Sequence, residues 1–491
     1  MSTSASAVAG APPMANPRRW AVLAVIAIAQ LMIVVDASIV TIALPHAQAA
    51  LGISNANRQW VITAYTLAFG GLLLLGGRIA DYAGRKRILL VGLLGFAFAS
   101  ALGGLAPDAS VLFTARAVQG AFAALMAPSA LAILNVTFKD PAERARAFGV
   151  YGAIAGGGLA IGLLGGGVLT EFASWRWCLL VNTPIAVFAA IAVFRLVDES
   201  RTERTAGYDI PGALTSTLGL VALVYGVTEA QTKGWGAGIT IGLLAAAVVL
   251  LVGFVAIERT SAEPLLPLRV VTERNRGGAF LASGLVGVAL FGTFLFLTYY
   301  LQQTLGYTPL KSGFAFLPLS VGIVMSAAVT SSLMTRIAPR WLMLAGLILA
   351  GAGMLWFTQL GVHSGFWPHV FPAEVVMSVG MGLVFVPVSS TALIGVAGGD
   401  SGVASAMINT TQQVGGSIGT ALLNTIAASA TAGYIALHGV HATASGYVHG
   451  YATAYLAGTG FIAAAVIATL LLINARTHDV ASAAAEGALA V

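Results

Sequence analysis

Between two apolar runs, at 58–77 and 88–106, lies the stretch Gly77-Arg78-Ile79-Ala80-Asp81-Tyr82-Ala83-Gly84-Arg85-Lys86-Arg87. Each run is about 20 residues long, the length that an α-helix needs to cross the roughly 30 Å hydrocarbon core of a bilayer. Four of the eleven residues in the stretch are Lys or Arg. The stretch is therefore predicted to be a short loop that joins two membrane helices, and we call it the basic loop.

Apolar runs of this length recur along the whole chain of 491 residues, of which 58% are hydrophobic and 9% are charged. Soluble proteins carry about 25% charged residues, so the composition excludes a series of soluble domains. We predict an all-α integral membrane protein with fourteen membrane helices. The predicted spans lie near 20–44, 58–77, 88–106, 110–135, 148–170, 178–197, 209–231, 237–258, 277–302, 311–333, 341–359, 369–393, 402–430 and 451–473.

The even number of spans places both termini on one side of the membrane. The positive-inside rule identifies that side, because cytoplasmic loops carry an excess of Lys and Arg. Nineteen of the 24 Lys and Arg residues fall on the side of the termini, so both termini are predicted to be cytoplasmic. The net charge of +6 is then a consequence of topology, and it indicates no nucleic-acid partner.

The loops also divide the chain into parts. Two long cytoplasmic loops, at 198–208 and 259–276, bracket spans 7 and 8. We therefore predict two six-helix bundles with an accessory pair of helices between them. The predicted parts are a disordered cytoplasmic N-terminus at 1–19, an N-terminal bundle at 20–197, the accessory pair with its flanking loops at 198–276, a C-terminal bundle at 277–473 and a cytoplasmic tail at 474–491.

Two opposite charges lie inside the first bundle, where an ionisable group costs at least about 2.5 kcal/mol and so indicates a function. From the rise of an α-helix, Asp36 lies about 12 Å from the outer end of span 1, and Arg116 lies about 9 Å inside span 4. We expect the two side chains to meet, with Arg116 setting the protonation of Asp36. A permanent structural ion pair is the alternative.

A third intramembrane charge is Glu374, which lies five residues into span 12 and has no obvious basic partner in the outer leaflet. It is interpreted as a second proton site or as a counter-ion for a cationic substrate. The alternative is an interfacial carboxylate without a role.

Small residues mark one face of span 5, where Gly158, Gly162 and Gly166 recur at intervals of four. This spacing permits close approach of a second helix. The face either packs in the ordinary way or allows two bundles to slide past each other.

Polar residues mark one face of span 13, where Asn409 and Gln413 are the candidates for a substrate path. A polar stripe on a membrane helix faces a partner or a water-filled cavity, so plain interhelical hydrogen bonding is the alternative. In span 1, Gln30 is a weaker candidate for the same path.

Motifs of catalysis are missing from the sequence. It contains no HExxH, no GxxxxGK[ST] and no clustered aspartate pair, and Cys178 is its only cysteine. These motifs supply metal ligands and nucleotide contacts, so we expect no enzymatic activity, no metal site and no cofactor. Uphill transport would then be driven by an ion gradient.

Several stretches resemble motifs of one family. The basic loop resembles the signature loop of the major facilitator superfamily. Other stretches narrow the resemblance to its fourteen-span drug:proton antiporters: Asp36-Ala37-Ser38-Ile39-Val40-Thr41-Ile42-Ala43-Leu44-Pro45, Arg116-Ala117-Val118-Gln119-Gly120, Trp175-Arg176-Trp177, Asn182-Thr183-Pro184, Tyr300-Leu301-Gln302-Gln303 and Gly402-Val403-Ala404-Ser405-Ala406. The resemblance covers all fourteen spans and departs in span 5, where Leu163 stands in place of the family's proline after Gly162.

The resemblance implies residue roles as well as a fold. Two six-helix bundles would alternate access to a central path, with spans 7 and 8 as accessories. Asp36 would be the proton-coupling acid and Arg116 its basic partner. A cytoplasmic latch that steadies the outward-open state would consist of Gly77, Asp81, Gly84 and Arg85.

The resemblance further implies efflux of small amphipathic or cationic drugs, antibiotics among them, in exchange for protons across the bacterial cytoplasmic membrane. The expected partners are the drug, protons and the lipid bilayer, and the expected working unit is a monomer. Proton-coupled uptake or lipid transport by the same fold is the alternative, ahead of a membrane enzyme or a channel.

Overall fold

The computed structural model describes residues 18–138, 140–201, 209–261, 264–396 and 400–477. Within these ranges the chain is helical and has no strand. Fourteen helices are long and apolar enough to cross a membrane, which confirms the predicted number of spans. The predicted disordered N-terminus at 1–19 and the tail at 474–491 fall mostly outside the described residues.

The helices are numbered in chain order. Spans 1 to 5 are α1 (Arg19–Leu51), α2 (Trp60–Ala83), α3 (Arg85–Gly104), α4 (Ala109–Thr137) and α5 (Pro141–Phe172). Span 6 comprises α6 (Trp177–Leu180) and α7 (Asn182–Leu196), and the accessory pair comprises α8 (Ile210–Lys233) and α9 (Gly238–Thr260). After a short α10 (Leu268–Thr272), spans 9 to 14 are α11 (Arg274–Tyr299), α12 (Pro309–Ala315) continued by α13 (Leu317–Leu333), α14 (Pro339–Phe357), α15 (Phe371–Leu393), α16 (Ser401–His438) and α17 (Thr443–Leu472).

Two helices extend well beyond the apolar runs that predicted them. The first continues to Leu51 and the thirteenth span to His438, whereas the runs end near 44 and 430. Each helix is followed by a glycine with positive φ, Gly52 at 60° and Gly439 at 81°. Glycine adopts this conformation without strain and commonly ends helices. Hydropathy therefore marks the part of a helix that lies in lipid, whereas the C-cap glycine marks the end of the helix itself.

Close helix crossings build each half. In the first half α2 packs on α4, α1 on α5, and α3 on α4 and α7; in the second, α11 packs on α16 and α17, and α15 on α13 and α14. A Cβ at Gly120 of α4 would collide with the Tyr65 carbonyl of α2, and a Cβ at Gly415 of α16 would collide with Gly284 of α11. Such close approach increases the van der Waals packing that contributes to helix association in lipid.

The accessory helix α8 contacts both halves, since it packs on α2 and α16 as well as on α9. Thr217 Oγ1 of α8 donates to the Gly71 carbonyl of α2 at 3.3 Å. Thr425 Oγ1 of α16 donates to the Val227 carbonyl of α8 at 3.3 Å. The predicted boundaries at 197 and 276 stay predictions, but α8 joins the helices on either side of them.

Each span has one end near the basic loop, which we call the basic end, and an opposite end, which we call the distal end. Hydrogen bonds between 20–197 and 277–473 gather toward the distal end. Gln302 Nε2 donates to the Ile42 carbonyl at 3.0 Å, and Asn55 Nδ2 donates to the Tyr447 hydroxyl at 3.3 Å. The two halves are thus joined by polar contacts at their distal ends.

Candidate functional site

The two opposite charges predicted to meet form a direct ion pair. Asp36 Oδ2 of α1 accepts a hydrogen bond from Arg116 Nη1 of α4 at 2.6 Å. The Asp36 side chain is 0% exposed and that of Arg116 is 1% exposed. Desolvating two charges is expensive, and a buried pair persists only when further hydrogen bonds satisfy the remaining atoms.

Two amide side chains provide those further hydrogen bonds. Asp36 Oδ1 accepts from Gln119 Nε2 at 2.7 Å and from Asn182 Nδ2 at 2.8 Å. Gln119 Oε1 accepts from Arg116 Nη1 at 2.6 Å. Neither amide was predicted as a site residue, although both lie in the motifs quoted above, because each acts through Asp36, which lies on a different helix. We call these four residues the proton network.

Arg116 has partners besides Asp36. Its Nε donates to the Val61 carbonyl at 2.9 Å, and its guanidinium carbon lies 4.4 Å from the centre of the Tyr65 ring. Charge-assisted hydrogen bonds and cation–π contacts both stabilise a desolvated guanidinium. Asp36 can therefore take up a proton without leaving Arg116 unpartnered, which a simple two-residue ion pair would not allow.

The second buried acid has a different environment. Glu374 is 0% exposed and lies in the first turn of α15, so a second proton site, a counter-ion and an interfacial carboxylate without a role all stay predictions. Neither of its carboxyl oxygens has a hydrogen-bond partner among the residues that the structure describes. Burying a carboxylate without partners is very unfavourable, so this geometry fits the protonated, neutral acid.

The predicted latch residues lie where α2 meets α3: Gly77 and Asp81 are in the last turns of α2, and Arg85 begins α3. The prediction of an eleven-residue loop is therefore wrong, because only Gly84 separates the two helices. Asp81 Oδ1 accepts from Arg85 Nε at 3.0 Å and from Arg85 Nη2 at 2.9 Å. Gly84 lies between them with φ at 105°, a value that favours glycine. Gly77 faces Pro128 of α4, where an added Cβ would lie at 3.4 Å. The structure thus brings the four residues together, while their role as a latch stays a prediction.

Glu199, which was not predicted as a site residue, caps the helix that follows the basic loop. Its carboxylate accepts from the amides of Lys86 at 3.1 Å and Arg87 at 3.2 Å. The Arg85 amide donates to the Ser200 carbonyl at 2.9 Å. An acidic acceptor at a helix N-terminus satisfies free amides and is favoured by the helix dipole. The segment that leads to the accessory pair is therefore bound to the latch.

The segment that leaves the accessory pair is bound to the basic loop as well. Arg78 Nη2 donates to the Pro264 carbonyl. Two residues on, the Leu266 amide donates to Glu258 Oε2 of α9 at 2.9 Å. The basic loop thus contacts both connections of the accessory pair, which the family motif alone does not indicate.

The predicted glycine face of span 5 packs within the first half. Its three members lie against α1: Gly158, Gly162 and Gly166. A Cβ at Gly162 would lie only 2.9 Å from the Val35 carbonyl. The packing alternative describes this face, and the prediction that two bundles slide over it is wrong. The helix reaches the second half through Gly167, which lies against Leu310 of α12.

The three polar candidates for a substrate path occupy separate positions. Gln30 accepts a hydrogen bond from the Tyr151 hydroxyl at 2.6 Å, within the first half. Gln413 lies where α16 crosses α2 at Gly70, and its Oε1 has no partner in the described part of the chain. Asn409 is exposed. Their role in a substrate path stays a prediction.

A buried polar cluster that was not predicted joins the two halves at the distal end. Arg58 Nε donates to Asn424 Oδ1 at 3.1 Å, and Asn424 Nδ2 donates to Gln59 Oε1 at 2.7 Å. The Arg58 guanidinium carbon lies 3.9 Å from the centre of the Tyr299 ring. We call these four residues the distal gate. Arg58 is 4% exposed, but in the sequence it counts only as a loop charge.

We expect Gly162→Val to destabilise the protein, because the added methyl groups would be forced against the backbone of α1. Overpacking a closed contact costs about 1–3 kcal/mol, which should lower the midpoint of thermal unfolding in detergent. Gly157→Val is the matched control, since a Cβ at Gly157 meets nothing within 4 Å. Equal midpoints for the two variants would contradict the close contact with α1.

We expect Glu199→Ala to loosen the start of α3, whereas Glu199→Gln retains an acceptor for the Lys86 and Arg87 amides. Loss of a helix cap costs about 1 kcal/mol, which corresponds to roughly fivefold faster amide exchange. Hydrogen–deuterium exchange of peptides covering 84–92 measures this difference. The same exchange rate in the native chain and the alanine variant would show that Glu199 does not cap the helix.

Comparison of the sequence with known proteins supports the family that the motifs indicate. The family model of the Major Facilitator Superfamily matches residues 26–420. The puromycin resistance protein pur8 of Streptomyces alboniger is 50% identical over 468 residues, covering 94% of this chain and 93% of that protein. The cephamycin export protein CmcT of Amycolatopsis lactamdurans is 40% identical over 410 residues, covering 82% of this chain and 84% of that protein.

Solved structures share the fold. A bacterial homolog of the human lysosomal transporter Spinster, in an inward-facing and unoccupied conformation, matches with a TM-score of 0.68 at 14% identity, over 96% of this chain and 99% of that one. The peptide transporter POT in complex with sulfate matches with a TM-score of 0.66 at 16% identity, over 92% and 93%. Fourteen apolar helices and bacterial relatives identify a multi-pass protein of the bacterial cytoplasmic membrane. The chain belongs to the Major Facilitator Superfamily.

Proposed function

We propose that this protein is an efflux transporter that exports a small amphipathic or cationic antibiotic in exchange for protons, by alternating access. The observation that carries the proposal is the proton network around Asp36. It holds a carboxyl group at a depth where an ionisable residue is costly and marks a functional site. Relatives named for antibiotic resistance and export, which match nearly the full length of the chain, support the direction of transport.

The transported proton binds Asp36 in this proposal. When the proton is bound, Arg116 keeps the Val61 carbonyl, the Gln119 amide oxygen and the Tyr65 ring as partners. When the proton leaves, the ion pair at 2.6 Å forms again. The two states differ by one charge inside the first half. A proton shifts the equilibrium between two conformations only if its binding favours one of them over the other, and the change of charge at Asp36 can provide that preference.

Access alternates through two sets of contacts, the distal gate and the latch. The hydrogen bonds of the distal gate close one end of the path, and the latch residues Gly77, Asp81, Gly84 and Arg85 steady the opposite conformation. The positive-inside rule places the basic end, with both termini, in the cytoplasm. In this scheme Gln30, Asn409 and Gln413 offer polar contacts to the substrate. The protein works as a monomer. The proton gradient drives transport, and no cofactor is needed.

The first compound to test is puromycin, because the relative named for resistance to it is 50% identical and matches almost end to end. Relatives named for cephamycin and lincomycin have similar coverage at lower identity. We therefore propose that the substrates are antibiotics in the size range of puromycin, cephamycin and lincomycin. Puromycin is tested first, beside a panel of dyes and other antibiotics.

We expect puromycin or another compound of the panel to release protons from everted membrane vesicles with an acidified interior. A pH-sensitive fluorophore measures the release. Asp36→Asn should abolish it, because the amide cannot bind and release a proton although it retains the shape of the side chain.

The matched control is Asp108→Asn, since Asp108 only accepts a hydrogen bond from the Val111 amide at the start of α4 and asparagine caps a helix equally well. This variant should transport like the native protein. Undiminished proton release by Asp36→Asn would remove Asp36 from the proton pathway. No release with any compound, despite well-inserted protein, would reject antibiotic:proton antiport.

A further inference from the structure

The hydrogen bonds of the distal gate continue beyond its four residues into the accessory helix α8. Gln59 Nε2 donates to Thr228 Oγ1 of α8 at 3.3 Å, and Thr228 Oγ1 donates to the Val224 carbonyl of the same helix at 2.9 Å. Gln59 and Asn424 are 0% exposed, and Thr228 is 3% exposed. A buried chain of hydrogen bonds therefore runs from Arg58, through Asn424 and Gln59, into α8.

The donors and acceptors along this chain all point in one direction. Arg58 has only donors, so the Asn424 oxygen faces it and the Asn424 nitrogen faces Gln59. The Gln59 oxygen accepts from that nitrogen, which leaves the Gln59 nitrogen for Thr228. At the other end the Val224 carbonyl can only accept, so the Thr228 hydroxyl donates its hydrogen there and offers a lone pair to Gln59. Each member thus depends on the next for its orientation.

The Thr228 oxygen determines which way the Gln59 amide is turned. Without this oxygen, the Gln59 nitrogen would be buried without its acceptor, which is unfavourable. A flipped amide would instead bring the Gln59 nitrogen against the Asn424 nitrogen, where two donors would meet. Hydrogen bonds in such a chain also strengthen one another. Loss of the Thr228 hydroxyl therefore weakens the bond between Gln59 and Asn424, which joins the two halves.

Apolar packing holds this part of α8 against both halves. One buried cluster contains side chains of three helices: Leu67 of α2, Val224 and Val227 of α8, and Ala421 of α16. Both Val224 and Ala421 are 0% exposed. Thr228 belongs to the same stretch of α8 as the two valines. The position of its hydroxyl beside the gate is therefore fixed by the packing of the helix.

We propose that α8 is part of the distal gate, with Thr228 as a positioning residue that orients the Gln59 amide toward Asn424. This inference rests on the closing role that the proposed function gives to the distal gate, and it extends that role to the accessory pair. The bond between Gln59 and Asn424 breaks when the distal ends of the two halves separate. By strengthening this bond, α8 stabilises the closed distal end.

The test measures the distance between the two halves directly, without substrate. Spin labels are attached to Ala50→Cys and Leu437→Cys, two exposed distal positions on α1 and α16, in a Cys178→Ala background. Double electron–electron resonance in nanodiscs gives the ratio of long to short distances. Thr228→Val removes the hydroxyl and retains the size of the side chain. We expect it to raise the ratio about fivefold, as for the loss of one buried hydrogen bond.

Two variants of α8 serve as controls. Thr228→Ser retains the hydroxyl and should keep the native ratio. Thr232→Val makes the same substitution one turn further along α8, where the exposed Thr232 donates to the Glu229 carbonyl of its own helix at 3.3 Å. This variant should also keep the native ratio, because Thr232 takes no part in the chain of hydrogen bonds described above.

A double-mutant cycle tests whether Thr228 acts through the gate. Asn424→Ala breaks the bond between the halves and should raise the ratio by itself. In a chain that already carries Asn424→Ala, Thr228→Val should have no further effect, because both substitutions remove the same interaction. Substitutions that act independently would instead combine additively in free energy.

The outcomes separate this inference from the antiport proposal. A native ratio for Thr228→Val beside a raised ratio for Asn424→Ala overturns the role of α8 in the gate. Additive effects, or a raised ratio for Thr228→Ser, overturn the positioning of Gln59 by the Thr228 hydroxyl. If neither Thr228→Val nor Asn424→Ala changes the ratio, the distal gate does not hold the halves together and the inference is rejected. Because no compound is added, a failure to release protons in vesicles would reject the antiport alone.

Discussion

The bilayer offers no water to a buried charge, so a charged group inside this protein is stable only with partners from its own helices. The first half meets this constraint at Asp36, where Arg116, Gln119 and Asn182 occupy both carboxyl oxygens. These partners come from α4 and α7, so the network also determines how three helices pack around one carboxyl. The site is therefore a structural centre of the half and, in the proposed function, its proton carrier.

The buried acid of the second half has the opposite hydrogen-bonding environment. Glu374 is fully buried and lacks partners among the described residues, whereas Asp36 has three. An acid within an ion-pair network has hydrogen-bond partners in both its ionised and its protonated form. An acid without partners is stable only when neutral and forces its surroundings to rearrange when it ionises. The two buried acids therefore differ in how their surroundings respond when a proton is gained or lost.

The sequence alone predicted the features that depend on depth in the bilayer. The fourteen spans follow from hydropathy, and the meeting of Asp36 with Arg116 follows from helix rise. Gln119, Asn182 and Glu199 could not be found this way, because their importance comes from partners that the fold brings from distant segments. The glycines of span 5 show the same limit: a spacing of four defines a face of the helix but not its neighbour, which is α1.

The contacts of α8 with both halves have a mechanical consequence. Thr217 bonds α8 to α2, and Thr425 bonds α16 to α8, so the accessory helix restrains the halves on one side of the molecule. On the other side α5 meets α12 and α13, and no helix in the described part of the chain covers that seam. The halves are therefore joined twice, through α8 on one side and directly through α5 on the other, so a rigid-body movement of one half against the other must change the contacts at both places.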